Sequence, residues 1–201
     1  MAIQFQYNKT SLQFLEKNLK MRVRALPTIK NKESALRMEV KRAKDDIRLL
    51  EQELERRIAG YDRMLALWGE FDTTLLSVGD VKMSVRKIAG VRIPVLDEVL
   101  YQTRPYSLFN SPHWYADGLS QLKELAQSGI ELEFMQQKLR LLEYARKKTT
   151  QKVNLFEKVQ IPGYEEAIIK IKRFMEDEEN LSKSSQKIVK SRQQKLREAE
   201  L

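Results

Sequence analysis

The sequence predicts a mainly α protein: a long antiparallel two-helix coiled coil with a short central β-hairpin and loop insert. Three observations predict it. Apolar residues recur at steps of three and four over long stretches near each end, which sets them on one side of a helix. Between those stretches, apolar and polar residues alternate, as they do in a strand. Seven Gly and five Pro are few for 201 residues, and 32% of the chain is charged, a composition suited to long helices with solvated faces.

The first helical arm occupies residues 1–76. Asn8, Thr10 and Ser11 are all good N-cap types, and one of them should start the helix. Leu12, Leu15, Leu19, Val23 and Leu26 carry the stripe to Pro27, where the lost hydrogen bond and the ring clash predict a kink or short break. The stripe continues through Leu36, Val40, Ala43, Ile47, Leu50, Leu54, Ile58, Tyr61, Leu65 and Trp68. Of these, Leu36, Val40, Ile47, Leu50, Leu54, Ile58 and Leu65 are assigned to the coiled-coil seam. The four-residue step from Leu54 to Ile58 relaxes left-handed supercoiling and predicts a fairly straight rod.

The insert occupies residues 77–118. Val81, Met83 and Val85 alternate with polar residues, Ala89-Gly90 is a turn signal, and Val91, Ile93 and Val95 alternate again. Pro94 points to an edge position. This reads as a short hairpin, separable from the coiled coil. The aromatics of TRPYSLFNSPHWYADG, among them Tyr106, Phe109, Trp114 and Tyr115, suit an ordered loop rather than a disordered linker. They serve either as anchors for a partner or as a local core capping the coil. Val81, Met83, Val85, Tyr106, Phe109 and Trp114 are the candidate partner contacts.

The second arm occupies residues 119–201. Leu132, Met135, Leu139 and Leu142 form its stripe, which resumes at Tyr164, Ile168, Ile171 and Met175. Leu139, Leu142, Val153, Phe156, Ile168 and Ile171 are its seam positions. Gly129 is a weak point, and Pro162-Gly163 is a stronger interruption around which the stripe changes phase. Between Leu181 and the terminal Leu201 only Ile188, Val189 and Leu196 are strongly apolar, and these three are the candidate tip residues. Together the three segments make one elongated domain. A reversal near residues 70 and 120 makes facing residues sum to about 190, so Pro27 and Pro162 share a level. The chain beyond about residue 185 then overhangs, and arms of about 60–70 residues give a rod about 90–100 Å long.

Little in the chain suggests catalysis, and no catalytic, cofactor-binding or metal residue is assigned. No glycine-rich phosphate loop occurs. There is no Cys, and the lone His113 beside Trp114 is better read as a surface or packing residue than as a base or ligand. The acidic run Glu176, Asp177, Glu178 and Glu179 points around a helix rather than toward one ion. Formal net charge is +9, which favours acidic partners. Basic and acidic residues are interspersed rather than blocked, however, as on a solvated coiled-coil exterior. Basic clusters such as Arg146-Lys147-Lys148 lack the helix-turn-helix, zinc finger or aromatic platform of nucleic-acid binders. The N-terminus lacks a signal-peptide pattern, and no apolar run approaches the ~20 residues of a bilayer span. The expectation is a chain that is soluble, or peripheral to a membrane through another protein.

Several stretches resemble the D subunits of V-type (vacuolar/archaeal-type) ATPases and ATP synthases, in a bacterial branch. KTSLQFLEKNLKMRVRALPTIKNKESALRMEV is similar to the family's opening helix, with its K-x-K-x-x-x-L stretch at Lys30, Lys32 and Leu36. GVRIPV followed by YSLFNSP resembles its central insert. KKTTQKVNLFEKVQIPGYEEAIIKIKRFMEDEE resembles its most recognisable stretch, at Lys152, Val153, Asn154, Phe156, Glu157, Val159, Ile161 and Pro162. Pro27, the Glu33-Ser34 pair and the TRPYSLFNSPHWY stretch depart from the commoner pattern.

The resemblance implies a central-stalk rotor, without ATP chemistry of its own, that couples ATP hydrolysis or synthesis to proton or sodium translocation. It implies as partners the small F component of the stalk, the catalytic and non-catalytic ring subunits, and a cup-shaped adaptor to the membrane ring. It also implies a place on the cytoplasmic face of the membrane, peripheral through the complex. Within that plan, the insert contacts the F component and the lower stalk, and Ile188, Val189 and Leu196 form a bearing tip. The competing reading is a basic coiled coil that associates with nucleic acid or tethers other proteins.

Overall fold

The computed structural model describes residues 3–61, 69–107, 109 and 111–199, with the side chains of Thr73 and of residues 196–199 left out. Leu65 and Trp68 therefore lie outside the described residues. Helix α1 spans Lys9–Tyr61, and a 3-10 turn spans Thr73–Leu75. Strands β1, Leu76–Ile88, and β2, Val91–Thr103, form an antiparallel hairpin. Helix α2 spans Tyr115–Leu155, a π-helical turn spans Phe156–Gln160, and α3 spans Ile161–Ala199. The chain divides into two compact units, one made of Met1–Asn31 with Thr149–Leu201 and the other of Lys32–Lys148.

Helix α1 starts where its cap dictates. The Asn8 side-chain oxygen accepts the Ser11 backbone N–H at 2.6 Å, satisfying one of the donors that the first turn leaves free. The helix then runs unbroken through Pro27, so the expected break does not occur. A mid-helix proline costs about 3 kcal/mol. Burial of neighbours such as Leu26 and Ile29, both half-buried, opposes that cost.

In the first unit, α1 and α3 pack antiparallel around Leu15, Ala167, Ile168 and Ile171, with Leu12, Leu19, Tyr164 and Met175 at the margin. Ion pairs Glu16–Lys172 at 3.0 Å and Lys30–Glu157 at 2.7 Å bridge α1 to the opposing helical run. The segment before α1 is part of this unit. Ile3 and Phe5 pack on its core, and Tyr7 stacks on Phe5 at 5.4 Å and on Phe174 at 4.8 Å. Ile3 lies so close to Gly163 that an added Cβ would sit 3.1 Å from its Cδ1. Pro162 does not break the helical run either. The Ile161 N–H bonds to the Phe156 carbonyl, an i→i+5 closure.

In the second unit, α1 and α2 again run antiparallel, bridged by Lys44–Glu143 at 2.7 Å. Residue numbers in the Lys30–Glu157 and Lys44–Glu143 pairs sum to about 187, within a few residues of the register expected from the sequence. The hairpin is a third packing layer rather than a separable appendage. Ile93 of β2 is completely buried together with Leu36, Val40, Ala43 and Leu142. Burying such a side chain is worth about 1.5–3 kcal/mol.

Each strand has 13 residues, longer than alternation alone suggested. Ala89 at φ 49° and Gly90 at φ 78° make the tight turn, since two left-handed residues match the twist of the flanking strands. Register shifts between Val78 and Asp80 and between Lys82 and Met83 mark two bulges. In a two-stranded sheet every position is an edge, which accommodates Pro94 opposite Val85. The Tyr101 hydroxyl lies 3.3 Å from the Lys123 carbonyl and 3.2 Å from Gln127 Oε1, tying β2 to α2.

A smaller core closes the base of the second unit. Phe71, Leu75 and Leu119 are buried there, with Tyr106, Trp114, Tyr115 and Leu122 packed around them. Trp114 and Tyr115 lie 5.7 and 5.1 Å from Phe71. Gly118 permits this packing: a Cβ there would meet the Trp114 ring at 3.1 Å.

Candidate functional site

The surfaces that can act are those the two cores leave uncovered. On the hairpin, directly paired residues share a face, and the pairs Val85↔Pro94, Met83↔Leu96 and Val81↔Val99 make one face apolar on both strands. Its β1 half is open: Met83 is 59% and Val85 65% exposed, while Val81 is half-buried. Val78 at the far end of β1 is also exposed. The neighbouring Lys82 pairs with Glu98 at 2.7 Å, and that hydrogen bond raises the lysine's pKa. Large apolar side chains at such exposure, rimmed by polar ones, suit a partner surface.

The aromatic candidates divide. Phe109 is fully exposed. Tyr106 and Trp114 instead belong to the local core around Phe71, where Tyr115 also donates its hydroxyl to the Glu70 carbonyl at 2.7 Å. Asp72 caps the adjoining 3-10 turn by accepting the Thr74 N–H at 2.9 Å, and bonding to Thr74 lowers its pKa. A cleft of about 400 Å³ lies in the same unit, between Leu50, Phe134 and Met135 of the helices and Ile93, Pro94 and Leu96 of β2.

Of the seam candidates, Leu36, Val40, Ile47, Leu142, Ile168 and Ile171 are buried, and Leu50, Leu54, Leu139, Val153 and Phe156 are half-buried. Leu65 lies outside the described residues. Ile58 is 49% exposed, because three-four spacing after Leu50 and Leu54 brings position 57 inward, not 58. Arg57 occupies it, with hydrogen bonding to Glu53 at 2.7 Å raising its pKa and Glu124 lying 3.9 Å away. An apolar count overlooks that arrangement; the strict spacing could have revealed it. Ile93 was legible as a strand residue, but its central place in the core was not.

The tip candidates Ile188 and Val189 are 58% and 53% exposed. The Leu196 side chain lies outside the described residues. From Glu176 to Lys195 every residue of α3 is exposed. Within the acidic run, Glu179 pairs with Lys183 at 2.6 Å, which lowers its pKa. His113 is exposed. Among the described residues no group of three or more His, Cys, Asp or Glu is placed to hold a metal ion, and no helix is long and apolar enough to cross a membrane.

The comparisons with known proteins agree on one family. The sequence profile of ATP synthase D subunits matches residues 11–191. The V-type ATP synthase D subunit of Borreliella burgdorferi is 31% identical over 186 residues, covering 91% of this chain and 92% of that one. Its counterpart of the same description in Chlamydia trachomatis serovar L2 is 32% identical over 206 residues, covering 98% and 100%. That of Chlamydia muridarum is 31% identical with the same coverage.

Proposed function

Because this chain belongs to the family of ATP synthase D subunits, stalk components of a multi-subunit complex, we propose that it is the rotating shaft of a V-type ATPase or ATP synthase. The shaft couples nucleotide turnover in the catalytic ring to ion translocation in the membrane ring. The observation that carries the reading is the antiparallel helix pairing in both units. Each unit has an apolar seam inside, and the outer faces of its helices are mainly charged and polar. A surface of that kind turns inside a ring of subunits without a large apolar patch to adhere.

In this reading the chain performs no nucleotide chemistry, and asymmetry about its axis sets the state of each surrounding catalytic site. The open hairpin face, with Met83 and Val85, and the exposed Phe109 meet the small F component and the lower stalk. The cup-shaped adaptor joins the shaft to the membrane ring on the cytoplasmic face. The exposed stretch of α3 with Ile188 and Val189, together with Leu196 beyond it, sits in the bearing of the ring.

The test is reconstitution with the other subunits and observation of a bead fixed to this chain. Directional rotation on adding ATP is expected. An assembled complex that hydrolyses ATP while the bead only diffuses overturns the proposal.

A further inference from the structure

The π turn Phe156–Gln160 interrupts an otherwise α-helical run, and the seam changes phase across it. Upstream, positions 142, 149, 153 and 156 face inward, buried or half-buried. Continued at three-four spacing, the same stripe would bring 163, 167, 170 and 174 inward. Gly163 and Ala167 do face inward, half-buried and buried, but Lys170 and Phe174 are exposed, while Tyr164, Ile168, Ile171 and Met175 are buried or half-buried. The seam therefore widens across 163–168, and by Ile171 it lies one residue later than that stripe. A π turn takes up one surplus residue, so that Ile171 rather than Lys170 continues the three-four stripe on the inward face.

Two local causes favour the turn. Pro162 has no N–H to offer the Lys158 carbonyl, so the α bond there cannot form. Arg22 of α1 then grips the turn at two points and the first turn of α3 at a third. Its Nε–H donates to Gln160 Oε1 at 2.7 Å, and its guanidinium lies 4.6 Å from the Tyr164 ring and 5.9 Å from the Phe156 ring. Asn18 holds the arginine in place, accepting from Nη1 at 3.2 Å through both its carbonyl and its side-chain oxygen. A planar guanidinium can stack and donate at once, which a lysine cannot.

We infer that Phe156–Gln160 is a built-in register corrector holding one surplus residue, and that Arg22 is the positioning residue that locks the surplus there. Unlocked, the surplus can migrate along α3, turning the helix face beyond Gln160.

Full-chain variants test this by thermal melting and amide hydrogen exchange. Deleting Lys158 together with Pro162→Ala removes the surplus and the helix breaker at once, and should melt within about 3 °C of the parent. Deleting Lys170, where no slack exists, turns Ile171 and Met175 away from the seam and should cost about 10 °C or more. Arg22→Met should speed amide exchange across 156–161 by about tenfold or more, with residues 36–50 unchanged. A Lys158 deletion with Pro162→Ala that is as damaging as the Lys170 deletion overturns the inference. So does an unchanged exchange rate at the π turn in Arg22→Met.

Discussion

Tyr101 illustrates how one side chain ties local chemistry to packing. Burial against α2 raises its phenol pKa above the ordinary value, with the Glu131 carboxylate adding to the effect. Its folded-state pKa exceeds the unfolded one near 10, so its contribution to stability is complete below about pH 10 and is lost as pH rises through the folded value. Tyr101→Phe should remove that component of alkaline destabilisation, read as a shallower fall of melting temperature above pH 10. An identical fall in the variant would assign the alkaline loss to other groups. Ile93→Ala empties a site with no exposure and should cost about 2–5 kcal/mol. Val85→Ala, on the open side of the same hairpin, should cost under about 0.5 kcal/mol. Chemical denaturation separates the two. Most buried seam residues were legible because three-four spacing is a property of the sequence itself. Arg57 was not, because an apolar scan passes over a paired cation whose stem packs inward.

At the scale of elements, helix starts, the hairpin and its Ala89-Gly90 turn follow from capping, alternation and turn chemistry that act over a few residues. The hairpin's role in the core does not follow, because docking on Leu36 and Leu142 joins residues distant in sequence. Excising the insert would therefore uncover the core of the second unit rather than trim a free appendage. The π turn left only a change of stripe phase near Pro162 as its trace. The segment from Ile3 to Tyr7 left less, since five residues are too few for a periodicity to register. Its contacts with Gly163 and Phe174 nevertheless make it a clasp on the first unit. Phe5→Ala should lower stability by about 1–2 kcal/mol, and melting by about 3–6 °C. An unchanged melt would show that the segment rests on the surface without holding it.

At the scale of the whole chain, the exposed end of α3 separates folding from assembly. Truncation after Ser184 removes a segment whose described side chains, residues 185–195, are all exposed, so the melt of the isolated chain should not change. Assembly with the catalytic ring should weaken and coupled turnover fall, with some rotation retained. A lowered melt would place those residues in the fold, and unchanged assembly would remove them from the bearing. The ion pairs across the helices have a further consequence. Each is solvent-exposed and worth at most about 1 kcal/mol, so they add little to stability. Sliding one helix by a heptad in either direction would nevertheless place Lys30 opposite Thr150 or Tyr164, and Lys44 opposite Gln136 or Thr150. Glu16 would meet Glu165 or Glu179, like charge against like. Two repetitive apolar stripes tolerate such misalignment almost equally well. The charges penalise it both ways, so they act as index marks that make a single alignment of the helices the one worth occupying.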